Sequence, residues 1–357
     1  MAGIFRFSNP ASEISKLIQT YRSIYEHFSP LTQQGHYFNH KEASEYMAKS
    51  GLASSQGAIG EAAVRRSRRS DTSRDPLYNQ HKMYSEIFRM LGWYEPGSKR
   101  TNFNLPEYGY YIASSPSDTA SKLLSINLLH IVSPNPLISV RGGNVLRPFP
   151  LILKLMEELD GRLSRDEMIL TVLACKNDKV AGYEKSAAKR VRNLRAQSPE
   201  ALKKAIDSLK VSAQINSDDV LPNYTRFPIA ALKWTEWAEK KSIKDYYGGK
   251  ALPFWEITNK GLDTLEYVKN AIDIRFQDLI DYDYDEQAAF CIWSNIYHLS
   301  KAGYDTSSMS DSIKKLKKIS SNIFNDFGIE DDSNLLFFGY QEAPRDILRR
   351  GDELIEE

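Results

Sequence analysis

The chain has 357 residues, 41% hydrophobic and 26% charged, with a formal net charge of +1 at pH 7, which is the composition of an ordinary globular protein with about two or three domains. Its two cysteines, Cys175 and Cys291, exclude a disulfide scaffold and a cysteine-based metal site. Because it has neither a run of roughly 20 apolar residues nor, in MAGIFRFSNPASEI, the apolar core of a signal peptide, we expect a cytoplasmic protein without a membrane partner.

The first hundred residues predict short helices and a stretch rich in arginine. Apolar spacing indicates an amphipathic helix over 11–28, followed by helices over 41–50 and 56–66. His36 and His40 have a spacing that suits a metal, but no third ligand follows and Asn39-His40 is typical of a helix start, so no metal site is predicted. Arginines among small polar residues indicate either a solvated loop or a phosphate contact. They are Arg65, Arg66, Arg68, Arg69 and Arg74.

Residues 78–105 have the pattern of a helix followed by a β-hairpin. Residues 78–91 predict a helix that carries Lys82. A strand beginning at Gly92, a turn at 96–100 and a returning strand at 101–105 follow, before Glu107 opens another helix. This order is typical of a winged helix, in which the hairpin is the wing. We predict that Lys82 and the polar wing-tip residues contact DNA. The latter are Lys99, Arg100 and Asn102.

Residues 147–195 predict two helices joined by a short turn and then a strongly basic helix. Asp160-Gly161 ends the first helix, and Ser164 and Glu167 have the spacing of a capping box. The basic helix contains no acid between its first and last base, although a solvated face is the alternative interpretation. The outline is that of a helix-turn-helix DNA reader. Its candidate DNA-binding residues are Lys185, Lys189, Arg190, Arg192 and Arg195.

A second hairpin is predicted farther along the chain. Helices are expected at 199–213 and at about 228–240, then strands at 243–247 and 253–257 around the turn Gly248-Gly249-Lys250. Thr258 would cap the next helix and Gly261 would allow close packing. The order of elements repeats that of the first hairpin region. We therefore predict a mainly α protein with small β wings (α+β), built from tandem winged-helix or helix-turn-helix units plus a C-terminal helical segment.

The predicted boundaries are 1–145 for the first winged-helix subdomain, 146–280 for the second, and 281–357 for an acidic segment that serves as a linker or subunit contact. Helices are expected at 288–299 and 312–324. Residues 281–357 contain 16 acids and 8 bases, a net charge of −8, so the rest of the chain carries +9. A basic body with an acidic tail favours a nucleic-acid partner.

Residues 75–275 resemble the DNA-recognition part of AlwI-type type IIS restriction and nicking endonucleases. The resemblance rests on the helix, Gly-Trp, wing and FNLPEYGYYIA order, and on RPFPLILKLMEELDGRLSRDEMILTVLACKND with its trailing basic helix. It implies a region that reads a short asymmetric site in double-stranded DNA. It also implies a separate PD-(D/E)xK nuclease domain or subunit that cuts with Mg²⁺.

Only Glu239-Lys240-Lys241, with Asp218 and Asp219 upstream, fits the Glu-x-Lys signature of such a nuclease. Because residues 234–241 predict a helix rather than a strand, we predict no catalytic residue, metal site or cofactor in this chain. The nuclease is then expected on another subunit or in a part removed by truncation. The alternatives are a tandem winged-helix transcription regulator, a self-contained divergent nuclease and a protein–protein adaptor.

Overall fold

The computed structural model describes residues 3–10, 13–67, 72–97, 101–138, 143–249 and 251–339. These residues are mainly helical and include small antiparallel sheets, which confirms the expected α+β composition. They form two compact units. The split unit comprises the described residues of Ser15–His130, Pro136–Ile138 and 272–339; the central unit comprises the described residues of Met1–Ile14, Ile131–Asn135 and Ser139–Ala271. The compact units thus divide the chain differently from the three predicted segments, because the chain after Ala271 packs in the same unit as the first helices.

The first part of the split unit consists of helices around a small sheet. Helix α1 buries an apolar stripe that includes Leu17, Tyr21 and Ile24. Asn39 caps α2 in a capping box with Glu42, which confirms the expected helix start. The elements are α1 (Ile14–Gln33), β1 (Phe38–Asn39), α2 (His40–Lys49), α3 (Gly60–Ser67), α4 (Pro76–Met90), β2 (Glu95–Pro96), β3 (Asn102–Asn104), α5 (Glu107–Ser114) and α6 (Ser117–His130).

The sheet of the split unit has the order β1-β3-β2, with both pairings antiparallel. Strands β2 and β3 form the predicted hairpin, although they are shorter than expected. Trp93 and Tyr94, before β2, are buried, as is Phe103 on β3. The hairpin is therefore anchored by aromatic side chains rather than by long strands.

The central unit has a similar order of elements with more helices inserted before the hairpin. Ser164 accepts a hydrogen bond from the Glu167 amide, and the Glu167 carboxylate accepts one from the Ser164 amide, which confirms the predicted capping box. The elements are α7 (Pro148–Glu158), β4 (Arg162–Ser164), α8 (Arg165–Met168) with a π-helical turn at Ile169–Leu173, α9 (Tyr183–Arg195), α10 (Pro199–Ser212), α11 (Val220–Tyr224), α12 (Arg226–Trp234), β5 (Ala238–Ile243), β6 (Leu252–Ile257) and α13 (Asn259–Asn270).

The sheet of the central unit has the order β4-β6-β5 and is antiparallel throughout. The prediction that 228–240 form one helix was wrong, because α12 ends at Trp234 and residues 238–243 form a strand. Glu236 adopts φ +60°, which breaks the helix. Six residues of β5 then pair with β6, and this pairing outweighs the helix propensity of the Glu-Lys-Lys sequence.

The rest of the split unit begins at β7 (Ile272–Asp273) and continues through α14 (Tyr284–Ala302), α15 (Ser310–Ile319), α16 (Ser321–Phe327) and β8 (Leu335–Leu336). Phe290, Leu316 and Ile323 are buried in its hydrophobic core. The described part of the predicted linker is therefore a packed segment, and its remainder, 340–357, lies outside the described residues. No helix in the described ranges is both long and apolar enough to cross a membrane.

Candidate nucleic-acid interface

Helix α9 presents the most coherent basic surface among the described elements. Ala187, Ala188 and Val191 face inward and are almost completely buried, so the opposite side of the helix faces solvent. A helix of 13 residues is about 20 Å long. With side chains its diameter of roughly 10–12 Å matches the width of the DNA major groove, about 12 Å.

The bases on this outer face are not neutralised by acids. Lys185, Lys189 and Arg190 are exposed, and none of their three side chains makes a hydrogen bond or an ion pair with another residue that the structure describes. Arg192, half-exposed at 47%, donates a hydrogen bond to the Glu158 carbonyl and lies 3.9 Å from the Glu158 carboxylate. The helix therefore carries three uncompensated charges and a fourth that is partly compensated.

Arg195, which was also predicted to contact DNA, is not part of this exposed surface. It is only 5% exposed, and its Nε donates to Glu167 Oε1 at 2.8 Å. Its remaining donors reach Glu167 Oε2 at 3.0 Å and the carbonyls of Leu159 and Arg162 at 3.1 and 2.6 Å. Arg195 lies on the inward side of the helix with Ala187 and Val191, so its guanidinium makes its hydrogen bonds inside the central unit.

Two neutral polar residues that were not predicted lie on the exposed face of α9. Ser186 and Asn193 are exposed between the bases. The helical spacing of the buried residues Ala187, Ala188 and Val191 is a signal that would have placed both on the outer face. Serine and asparagine side chains form hydrogen bonds with base edges, so this face combines charge with groups able to read sequence.

The other predicted DNA-binding residues that the structure describes lie in the split unit. Helix α3 turns Ala63 and Val64 inward and leaves Arg65 and Arg66 exposed. Arg66 donates to the Gln56 carbonyl at 2.7 Å. Arg74 and Lys82 are exposed and Asn102 is half-buried, whereas Arg68, Arg69, Lys99 and Arg100 lie outside the described residues.

The Glu-x-Lys sequence lies on strand β5, contrary to the helix predicted for it. Lys241 Nζ lies 2.8 Å from Glu239 Oε1 and 2.9 Å from Glu256 Oε2 on the neighbouring strand. Arg162 Nε donates to the other Glu256 oxygen at 2.9 Å. Because cationic side chains occupy these carboxylates, the arrangement does not fit a magnesium site. No group of three or more His, Cys, Asp or Glu side chains within the described ranges is placed to hold a metal ion.

No protein-family model matches the chain, and no curated protein is significantly similar to it. The resemblance to the recognition part of AlwI-type endonucleases therefore stays a prediction. The exposed face of α9 and the strand order within each of the two sheets are the features that bear on function.

Proposed function

We propose that this chain is a sequence-specific double-stranded DNA recognition module built on two winged-helix units. In this proposal it directs the nuclease domain or subunit of a type IIS restriction or nicking endonuclease to an asymmetric site. The observation that carries DNA binding is the face of α9, where Lys185, Lys189 and Arg190 are exposed without acidic partners. Fixed positive charge of this kind displaces the counterions condensed on DNA.

The winged-helix assignment is supported by the sheet order of each unit. In both sheets the short first strand pairs with the third strand, and the third pairs with the second: β1-β3-β2 and β4-β6-β5. Each first strand is followed directly by a helix, and each second and third strand form a hairpin. That is the order helix, strand, helices and wing expected of a winged helix.

Helix α9 is the recognition helix in this proposal. Lys189, Arg190 and Asn193 would face base edges in the major groove, where arginine or lysine pairs with guanine and asparagine pairs with adenine. Lys185 and Arg192, at the edge of the same face, would contact phosphates. Phosphate contacts position the helix, and base contacts specify the sequence.

The test is selection of bound sites from random duplex DNA, followed by binding titrations at several salt concentrations. Replacing Lys185, Lys189 and Arg190 by alanine should reduce the slope of log K against log[salt] by about 0.9 for each phosphate that the variant no longer neutralises. The control replaces three exposed lysines of the split unit by alanine, which removes the same formal charge outside α9. These are Lys301, Lys314 and Lys318.

An unchanged slope in the α9 variant would remove this helix from the interface, and failure to enrich any site would refute DNA recognition. A palindromic site bound by a dimer would favour the transcription regulator instead. Incubation of the selected duplex with Mg²⁺ and this chain alone should give no cleavage. Cleavage that Glu239→Ala abolishes would identify a self-contained nuclease.

A further inference from the structure

The carboxylate of Glu167 joins three parts of the central unit at one buried point. Its side chain is completely buried, and Oε2 accepts from the Ser164 amide at 2.8 Å. Oε1 accepts from Arg195 Nε at 2.8 Å and from the Tyr247 hydroxyl at 2.7 Å. The start of α8, the end of α9 and the turn between β5 and β6 therefore converge on a single carboxylate.

The β5–β6 turn is held by this junction. Tyr247 is fully buried although its φ is +54°, a left-handed conformation that is unfavourable for a side chain of this size. The neighbouring Tyr246 ring lies 4.4 Å from the Arg195 guanidinium carbon, close enough for a cation–π contact. Strained backbone persists where the surrounding contacts over-determine it, and here those contacts include the bond to Glu167 and the packing of Tyr247 in a hydrophobic cluster.

Lys244 lies in the same turn and is exposed. Its side chain makes no hydrogen bond or ion pair with any other described residue. The turn thus carries an unpaired lysine outward and a buried tyrosine inward, three positions apart in the sequence. Because Lys244 and Tyr247 belong to one short turn, the bond that holds the Tyr247 hydroxyl also restricts the backbone position of Lys244.

We infer that Glu167 and Tyr247 are positioning residues that lock the wing of the central unit to α9, so that Lys244 contacts a phosphate of the same duplex that α9 reads. The inference rests on the proposed function. Arg195 belongs to the lock because it bridges the last turn of α9 to the same carboxylate. Arg195, which was expected to contact DNA, therefore aligns α9 with the wing, the two elements that bind DNA in this proposal.

The experiment uses the full chain and two matched hydroxyl deletions. Tyr247→Phe removes the bond to Glu167. Tyr183→Phe is the control, because the Tyr183 hydroxyl on α9 donates at 2.6 Å to the Thr171 carbonyl and does not touch the wing. The Lys244→Ala variant is combined with each, and affinity is measured on a fluorescein-labelled duplex carrying the selected site.

In the wild type and in Tyr183→Phe, Lys244→Ala should weaken binding several-fold. In Tyr247→Phe the affinity should already be reduced several-fold, and Lys244→Ala should then cost little more. This non-additivity distinguishes positioning from a general loss of stability, which would leave the two effects additive. Additive effects would overturn the inference.

Amide hydrogen exchange of the free protein provides a second measurement that does not depend on DNA. Peptides covering the β5–β6 turn should exchange faster in Tyr247→Phe than in Tyr183→Phe, while peptides of α9 exchange equally. Equal exchange of the turn in both variants would contradict the lock. If no duplex is bound by the wild type but the exchange difference appears, the proposed function fails and the mechanical link stands.

Discussion

The two hairpin regions have similar topologies but are joined to their helices by different chemistry. In the central unit, the junction is the charged pair of Glu167 and Arg195 with the Tyr247 hydroxyl. In the split unit, the corresponding place is taken by two imidazoles: His40 Nδ1 and His81 Nδ1 are 2.9 Å apart, and His81 Nε2 lies 3.5 Å from the Tyr94 hydroxyl. The Glu167–Arg195 junction is formed by charged side chains, whereas the His40–His81 junction is formed by uncharged ones.

The surroundings of His40 and His81 explain why both imidazole rings stay uncharged. Burial, followed by the nearby Arg89 and Lys82 charges, lowers the pKa of His40 to about 4. Burial and the neighbouring His40 lower the pKa of His81 well below its ordinary value. A short contact between two Nδ1 atoms needs one donor and one acceptor, so the pair is held by neutral rings. The comparison teaches that similar sheet orders accommodate either an ionic or a neutral junction, provided every buried polar atom there is satisfied.

The largest effect is expected from breaking the charged junction. Arg195→Met leaves the Glu167 carboxylate buried without its cation and should lower the free energy of unfolding of the central unit by about 3–5 kcal/mol. The half-exposed Arg192 is the control on the same helix, and Arg192→Ala should cost less than about 1 kcal/mol. Urea denaturation combined with hydrogen exchange of α7–α9 peptides measures both.

Adding Glu167→Gln to Arg195→Met should restore part of the stability, because the uncompensated charge is removed. If Arg195→Met costs no more than Arg192→Ala, the guanidinium is not held in the interior, and its role in DNA binding is again open.

The neutral junction should respond to pH. The pKa values of His40 and His81 are lowered in the folded state, so their contribution is complete above the unfolded value of about 6.5 and is lost as the pH falls toward 4. In that window the unfolded chain binds more protons. His40 alone, with its pKa lowered to about 4, should cost the split unit on the order of 3 kcal/mol by pH 4, and the lowered pKa of His81 adds to this loss. Hydrogen exchange of α2 and α4 peptides across this range measures the loss.

His81→Leu should flatten this pH dependence while lowering stability at pH 7, because the His40 ring then loses its hydrogen-bond partner. An equally steep dependence in the variant would assign the pH response to other groups.

A smaller loss of stability is expected when the glycine that follows each hairpin is replaced by alanine. A Cβ at Gly261 would overlap the Trp237 carbonyl oxygen, and a Cβ at Gly109 would overlap the Tyr21 hydroxyl. Each alanine substitution should cost about 1–3 kcal/mol, with Gly261→Ala the larger because backbone yields less than a hydroxyl does. Urea denaturation of the two single variants shows which substitution lowers the free energy of unfolding more. A larger cost at Gly109 would show that the β2–β3 hairpin of the split unit is the more rigid one.

Local signals in the sequence were sufficient for many elements of the fold. The Ser164–Glu167 capping box, the basic helix α9 and the cap and close packing at Thr258 and Gly261 were predicted and confirmed. Each depends on residues only a few positions apart or on helical spacing, and such patterns specify local structure whatever the rest of the chain does.

Other features depend on contacts between residues distant in the chain, and only the tertiary structure decided them. Residues 238–243 became a strand because β6 lies beside them, although their composition favours a helix. Arg195 became a structural residue because Glu167, 28 positions earlier, lies on the inward side of α9. Composition and periodicity determined which helix is basic, whereas the burial of an acid determined which of its bases remain free for a partner.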